Sequence, residues 1–238
     1  MSIYLAGNPA AALAVRLISY TKPSKELVSE GLYDVQELIA FCARVSNPSN
    51  QLNTGSSDKL ISYLIKHQHW SPLEMVSLCL EIETTRDIAR QMLRHRSFSF
   101  QEFSQRYADP TKDLSFVLRE ARLQDPKNRQ NSVEVHDFDL QREWDDKQQV
   151  VIDAAKASYE WAVSKGIAKE QARAVLPEGC TASRLYMNGT LRSWVHFIQV
   201  RSDVSTQKEH RVIALECAKV IAKVFPLMET IYSNQHTK

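Results

Sequence analysis

Apolar positions along the chain fall into two periods. Val35, Leu38, Ile39, Cys42 and Val45 recur at helical spacing, so a helix is predicted over 34–45. Asp34 followed by Glu37 gives it a capping box, with Asp in place of the usual Ser or Thr. Asn47-Pro48 ends it. A second helix starts at Ser56 or Ser57, turns Leu60, Ile61, Leu64 and Ile65 inward, and stops before Ser71-Pro72. The period then changes to two. Val76, Leu78, Leu80 and Ile82 alternate with Ser77, Cys79, Glu81 and Glu83, which predicts a half-buried strand over 75–83 with one wet or ligand-facing side. Thr84 or Thr85 caps a third helix over about 86–94. Residues 94–107 fit neither period.

Residues 108–139 are polar and turn-rich, and read as an irregular excursion with room for short strands. A long helix is predicted over about 141–165, ending near Gly166, and another over 168–176, stopped by Pro177. A short strand-like piece, Ala182 to Met187, leads to a turn at Asn188-Gly189. A helix then begins near Thr190 with the stripe Leu191, Trp194, Val195 and Ile198. The last helix starts at Thr206, where Thr206-x-x-Glu209 has the form of a capping box, and runs to Phe225-Pro226. No repeat is visible, and no linker splits the chain. The class is α+β with helices dominating.

Composition narrows the function. The 238 residues are 43% hydrophobic and 24% charged, an ordinary globular balance, and the formal net charge of +2 gives no global attraction to nucleic acid or anionic membrane. No apolar run is long enough to span a bilayer, and the first residues lack a signal peptide's charged and apolar regions. The expected compartment is the cytoplasm, or a host's cytoplasm for a viral protein. The four cysteines, Cys42, Cys79, Cys180 and Cys217, are widely spaced and suit a reducing interior better than a disulfide or zinc scaffold. Neither glycine-rich nucleotide-binding motif occurs, so any bound nucleotide must be held by side chains.

The candidate chemistry concentrates in Arg86 to Tyr107. That stretch holds five arginines, two carboxylates, His95, Gln91 and four aromatic residues. Guanidinium forks match phosphates and the carbonyl edges of flat heterocycles, and aromatics offer stacking faces. A solvated basic helix face is the plain alternative, but Arg94-His95-Arg96 falls at a helix end. His67-Gln68-His69 suggests a metal only superficially: the spacing is poor for one helix face and no further ligand set lies nearby. His69 either fixes the turn ahead of Pro72 or contacts a ligand. Further on, Glu170-x-x-Arg173, then Arg192 and His196 four apart and off the apolar stripe, then Arg201, are each readable singly as surface charges.

Together these residues resemble a family signature. Arg94-His95-Arg96, seven residues, then Ser104, with Arg106 and Tyr107 following, is similar to the R-H-R-x7-S motif of the flavin-dependent thymidylate synthases. His69-x-x-Pro72 with Glu74, Ala43-Arg44-Val45-Ser46, Glu170-x-x-Arg173-x-x-x-Pro177 and the Arg192–Arg201 stretch extend the likeness over about 33–107 and 165–217. The resemblance implies a single domain over 1–238 built on a central antiparallel sheet, and a homotetramer with FAD at subunit interfaces. It also implies conversion of dUMP to dTMP, with 5,10-methylenetetrahydrofolate as carbon donor and NADPH as reductant. By the same resemblance Gln91, Arg94, Glu102, Ser104, Arg106, Arg173 and Arg201 contact dUMP. Ser46, His69, Arg94, His95, Arg96, Glu102, Thr190, Arg192 and His196 contact FAD. Arg201 activates the uracil ring as a fixed cation, with no enzyme nucleophile. Two departures stand out: Thr190 replaces an Asn while Asn188 lies two residues earlier, and position 196 is His rather than Asn. The alternatives are a nucleic-acid-binding module using the arginine–aromatic segment, and a methylase using Cys180 as a thiolate nucleophile.

Overall fold

The computed structural model describes residues 14–233. In chain order the elements are β1 (Ala14–Tyr20), α1 (Lys25–Ser29), α2 (Val35–Ala43), α3 (Ser57–Lys66), β2 (Ser77–Thr85), α4 (Arg86–Met92), β3 (Phe98–Glu102), α5 (Pro110–Asp113), β4 (Arg122–Gln124), β5 (Ser132–Glu134), α6 (Phe138–Ser164), α7 (Lys169–Ala172), β6 (Ala182–Thr190), α8 (Leu191–Arg201), α9 (Lys208–Ala222) and α10 (Leu227–Ser233). Strands β1, β2, β6 and β3 form one antiparallel sheet in that order, and β4 with β5 make a small separate hairpin. This is the helix-rich α+β arrangement expected. Among the described residues no helix is long and apolar enough to cross a membrane.

The capping box on α2 is present. Glu37 N donates to Asp34 Oδ1 at 2.8 Å, and Asp34 N donates to Glu37 Oε2 at 3.2 Å. The strand after α3 also behaves as its alternation predicts. Leu78, Leu80 and Ile82 face the core, and Glu81 and Glu83 face the other side, opposite Tyr186 and Arg184 of β6. On that polar side Tyr186 Oη donates to Glu81 and Arg184 to Glu83. The core side is covered by α2, α8 and α9, with Trp194, Phe197 and Ile198 of α8 and Ile213, Ala214 and Cys217 of α9 fully enclosed. Each such aliphatic or aromatic side chain contributes roughly 1.5–3 kcal/mol of burial free energy. Trp194 Nε1 donates to Leu78 O at 3.2 Å, which locks α8 onto the sheet.

Three expectations are corrected. Residues 98–102 are a strand, because Phe98 and Phe100 enter the core against β6 while Ser99 and Gln101 stay out. Asn188-Gly189 is no turn: β6 runs through it, flanked by β2 and β3, and Gly189 makes room for the Phe98 ring. Thr206-x-x-Glu209 forms no capping box. Thr206 Oγ1 donates to Val200 O, the Glu209 carboxylate is drawn to Arg122 and Arg119, and α9 begins beyond Gln207 without a side-chain cap. The long helix starts three residues earlier than predicted, capped by Asp137, and ends at a left-handed Gly166. It lies beside the main core, packing Tyr159 and Ala162 against Ala172 and Leu176.

Candidate active site

Most of the candidate residues fall into three groups, built on β3, α4, β6 and α8. The first group surrounds Glu102, at the end of β3. Its carboxylate accepts from Ser183 Oγ at 2.8 Å and from Arg90 Nη1 at 3.2 Å, with Arg86 at 3.6 Å. Arg86 is buried at the start of α4, and burial, with Arg90 and Arg173 among the neighbouring cations, lowers its pKa despite Glu102 and Glu178. Arg173 acts on Arg86 through its charge, and Arg106 pairs at 3.3 Å with Glu170, three residues before Arg173. Ser104 Oγ accepts only a long bond from Arg106 N, at 3.4 Å, and no imidazole or carboxylate base contacts it among the described residues. Ser104 is thus placed as a hydrogen-bonding group and not as an activated nucleophile. Arginines outnumber carboxylates here, an arrangement suited to a phosphate monoester.

The second group lies where α4 meets the α8–α9 junction. Arg201 Nε donates to His95 Nε2 at 2.8 Å. His95 is consequently a neutral acceptor at that nitrogen, and its pKa is pushed down to about 4 by burial, then by the Arg201 cation and His196. Its ring meets Phe197 edge-on at 5.0 Å. Both Arg201 Nη atoms lack a hydrogen-bonding partner among the described residues, so a planar two-donor edge is held in place by one bond and left available. Gln91 also belongs here, bonded to Gln207 and to His210.

The third group is the end of β6 and the outer face of α8. Thr190 is the N-cap of α8, its Oγ1 accepting from Ser193 N. Asn188 and Thr190 lie two residues apart in the same strand, and no loop separates them. Arg192 and His196 share the exposed face of α8, and Arg192 donates to Glu74. Ser193 Oγ donates to Ser97 O, which ties the first turn of α8 to the end of the Arg94-His95-Arg96 run. Arg94 and Arg96 are exposed, and among the described residues their guanidinium groups have no partner. Partner-free arginines beside an exposed imidazole and the half-buried Thr190 hydroxyl are the donor chemistry that a dinucleotide's diphosphate needs, so these residues fit a flavin dinucleotide.

Two candidates stand apart. Ser46 is exposed beyond the end of α2, and His69 is exposed in the turn after α3 with its ring near Tyr63 and His67. Neither contacts the other candidates among the described residues. No group of three or more His, Cys, Asp or Glu there could hold a metal ion. All four cysteines are free thiols, and burial raises the pKa of each. At Cys180 Asp87 adds to the rise and Arg119 offsets part of it, so this thiol is not poised as a thiolate. Arg86 and Arg90 counted in the arginine-rich stretch without a role of their own, and Gln207 and His210 were not singled out by sequence. The signal available for His210 was its place on the apolar stripe of α9, one turn before Ile213.

Comparison with known proteins shows what the chain is similar to. Residues 26–227 match the family described as thymidylate synthase complementing protein. A flavin-dependent thymidylate synthase of Synechocystis sp. is 50% identical over 212 residues, covering 89% of this chain and 95% of that protein. A probable flavin-dependent thymidylate synthase of Paramecium bursaria Chlorella virus 1 is 45% identical over 214 residues, covering 90% and 96%. Among solved structures, the UMP/dUMP methylase PolB of Streptomyces cacaoi, bound with 5-Br dUMP, superposes with a TM-score of 0.77 at 25% identity, over 93% of this chain and 95% of that one.

Proposed function

The chain belongs to the flavin-dependent thymidylate synthase family, and from that membership we propose that it methylates dUMP to dTMP with Arg201 as the group that activates the pyrimidine. The observation that carries this reading is the guanidinium held by His95 with both Nη atoms open. The C5 carbon of uracil attacks a one-carbon electrophile only when charge is pushed into the ring. A fixed, permanently protonated fork beside the ring carbonyls stabilises that charge without transferring a proton. The four raised thiol pKa values support a route without a sulfur nucleophile.

The other residues divide by chemistry. Arg106 and Arg173, with Arg94, serve the nucleotide phosphate, while Gln91, Glu102 and Ser104 serve sugar and base. Arg94, His95, Arg96, Thr190, Arg192 and His196, together with Glu102, Ser46 and His69, hold FAD. A flavin held there, once reduced by NADPH, would supply hydride chemistry, and 5,10-methylenetetrahydrofolate is the substrate that brings the carbon. Different copies of one residue serve different sites in a homotetramer. The apolar surface of α6, with Phe138, Val150, Val151 and Trp161 exposed, supports such an assembly.

The test is tritium release from [5-³H]dUMP with and without folate, FAD and NADPH, run on the parent and on Arg201→Ala. We expect Arg201→Ala to keep its yellow flavin and lose about 100-fold or more in turnover. Equal loss of flavin and turnover makes Arg201 a flavin-holding or structural residue. Turnover abolished in Cys180→Ser with dUMP binding intact would restore the thiolate route.

A further inference from the structure

His210 is fully buried on α9, touches the site and has no part in the reaction described above. Its Nδ1 lies 3.2 Å from Gln91 Oε1, and Gln91 Nε2 donates to Gln207 Oε1 at 2.8 Å. Gln207 Nε2 in turn donates to Glu209 Oε2 at 3.0 Å. The chain of bonds ends on a carboxylate whose ionised state is secure. Burial opposes ionisation of Glu209, but the Arg122 hydrogen bond at 2.6 Å and the Arg119 cation at 3.4 Å outweigh it and lower its pKa.

That terminus sets the polarity of every bond before it. An ionised carboxylate only accepts, so Gln207 must turn its NH₂ to Glu209 and its oxygen to Gln91. Gln91 must then turn its NH₂ to Gln207 and its oxygen to His210. His210 must carry its proton on Nδ1, leaving Nε2 a bare acceptor, and that buried nitrogen has no partner among the described residues. The two helices involved are clamped by one residue of the 108–140 excursion. Arg119 bonds Asp87 on α4 at 2.7 Å and pairs with Glu209 on α9.

We propose that this relay fixes which end of the Gln91 amide faces the pyrimidine, so that His210 is a positioning residue by which the site reads uracil over cytosine. The proposal rests on the reading of this site as a dUMP site. The Phe197 ring lies 5.7 Å from the His210 ring and 5.0 Å from that of His95, which holds Arg201, the cation assigned to the base, so Gln91 stands at the base end of the nucleotide. Uracil and cytosine differ in whether C4 carries an acceptor or a donor and in whether N3 is protonated. An amide locked in one orientation distinguishes the two, and an amide free to flip matches either.

The experiment titrates FAD-loaded enzyme with dUMP and with dCMP, following the flavin absorbance, in the parent, His210→Leu, His210→Asn, Gln207→Met and Gln91→Leu. We expect His210→Leu to weaken dUMP by about 3- to 10-fold, the range for one lost hydrogen bond. Its dCMP affinity should hold, so that the dUMP/dCMP ratio falls by the same factor, and FAD affinity should not change. His210→Asn, whose amide nitrogen can stand where Nδ1 stands, should keep the ratio within about twofold. Gln207 is exposed, so Gln207→Met folds whatever the buried variant does, and it should shift the ratio in the same direction. A ratio unchanged in Gln207→Met and in folded His210→Leu, but collapsed in Gln91→Leu, overturns the relay alone. A ratio unchanged in Gln91→Leu removes that residue from the base and the proposal with it. Parent enzyme that fails to bind dUMP overturns the functional reading itself.

Discussion

Gly189 joins packing to the site most directly. A Cβ added there would stand 2.4 Å from Phe98 Cδ1 and 2.7 Å from Cε1, against the 3.5–4.0 Å at which carbons pack well. The ring cannot simply step aside. It meets Trp194 edge-on at 4.8 Å, Phe197 lies at 6.1 Å, and its own backbone pairs with Gly189 across β3 and β6. Overpacking of this kind costs about 1–3 kcal/mol. Gly189 has no left-handed φ, so alanine would also recover about 0.4–1 kcal/mol by restricting the unfolded chain. The steric effect wins, for a net loss of up to about 2.6 kcal/mol, centred on about 1 kcal/mol, and a fall in Tm of up to roughly 10 °C for a chain of this size. Because β3 runs between His95 and Glu102, tritium release should fall too. The assay is thermal unfolding of Gly189→Ala, Phe98→Leu and the double variant. Phe98→Leu should damage the parent more than it damages Gly189→Ala, with a coupling of about 0.5 kcal/mol or more. A Tm that rises in Gly189→Ala, or strictly additive effects, would refute the reasoning, since only backbone entropy would then be at work.

Three further outcomes are expected. Arg173→Ala should raise the KM for dUMP about tenfold or more with kcat nearly kept; a large fall in turnover at saturating dUMP would contradict a role in ground-state binding. Urea midpoints should decline as pH falls from 7.5 towards 5.5. In the unfolded chain His95 binds a proton near 6.5, whereas in the fold burial and then Arg201 hold its pKa to about 4, so the unfolded state takes up more protons in between. The contribution is complete above 6.5 and lost as pH descends through 4, and a profile no steeper than that of His95→Gln would count against it. Asp34→Ala removes the capping-box acceptor on α2 and should cost about 0.5–2 kcal/mol by chemical denaturation, while Ser24→Ala, at the cap of the five-residue α1, should do less.

Long elements were legible and short ones were not, for identifiable reasons. The α2 and α8 stripes repeat over several turns and carry their own caps, so local chemistry and tertiary burial agree. The alternation of β1 breaks at Leu17-Ile18, where the pairing with β2 slips register, and no strand was read there. The period of two in Ser97-Phe98-Ser99-Phe100 was hidden by the charged run before it. Asn188-Gly189 carries a strong turn signal, but strands on both sides supply ladder bonds that no turn could match. At Thr206 a local pattern was also overruled, because Glu209 gains two arginines by leaving the cap.

The same contrast explains which site residues could be named in advance. Arg94 and Ser104 occupy positions of a linear motif, Arg201 ends a second stretch of family likeness, and their chemistry is visible in their identity. His210 and Gln207 act only through Gln91, more than a hundred positions away in the chain, and Arg119 acts only by joining α4 to α9. The one local mark of His210, its place on the apolar stripe of α9, is also the sequence signature of core, and Gln207 and Arg119 carry none. The structure adds directionality: one ionised carboxylate at the end of a chain of amides determines the orientation of each. In the site proposed above, which uses no covalent nucleophile and whose selectivity depends on how donors and acceptors are presented to the ring, that fixed orientation is itself a functional property. The polar 108–140 segment, uninformative as sequence, supplies the two arginines that keep the carboxylate charged, and on the proposed relay it belongs to the machinery of recognition.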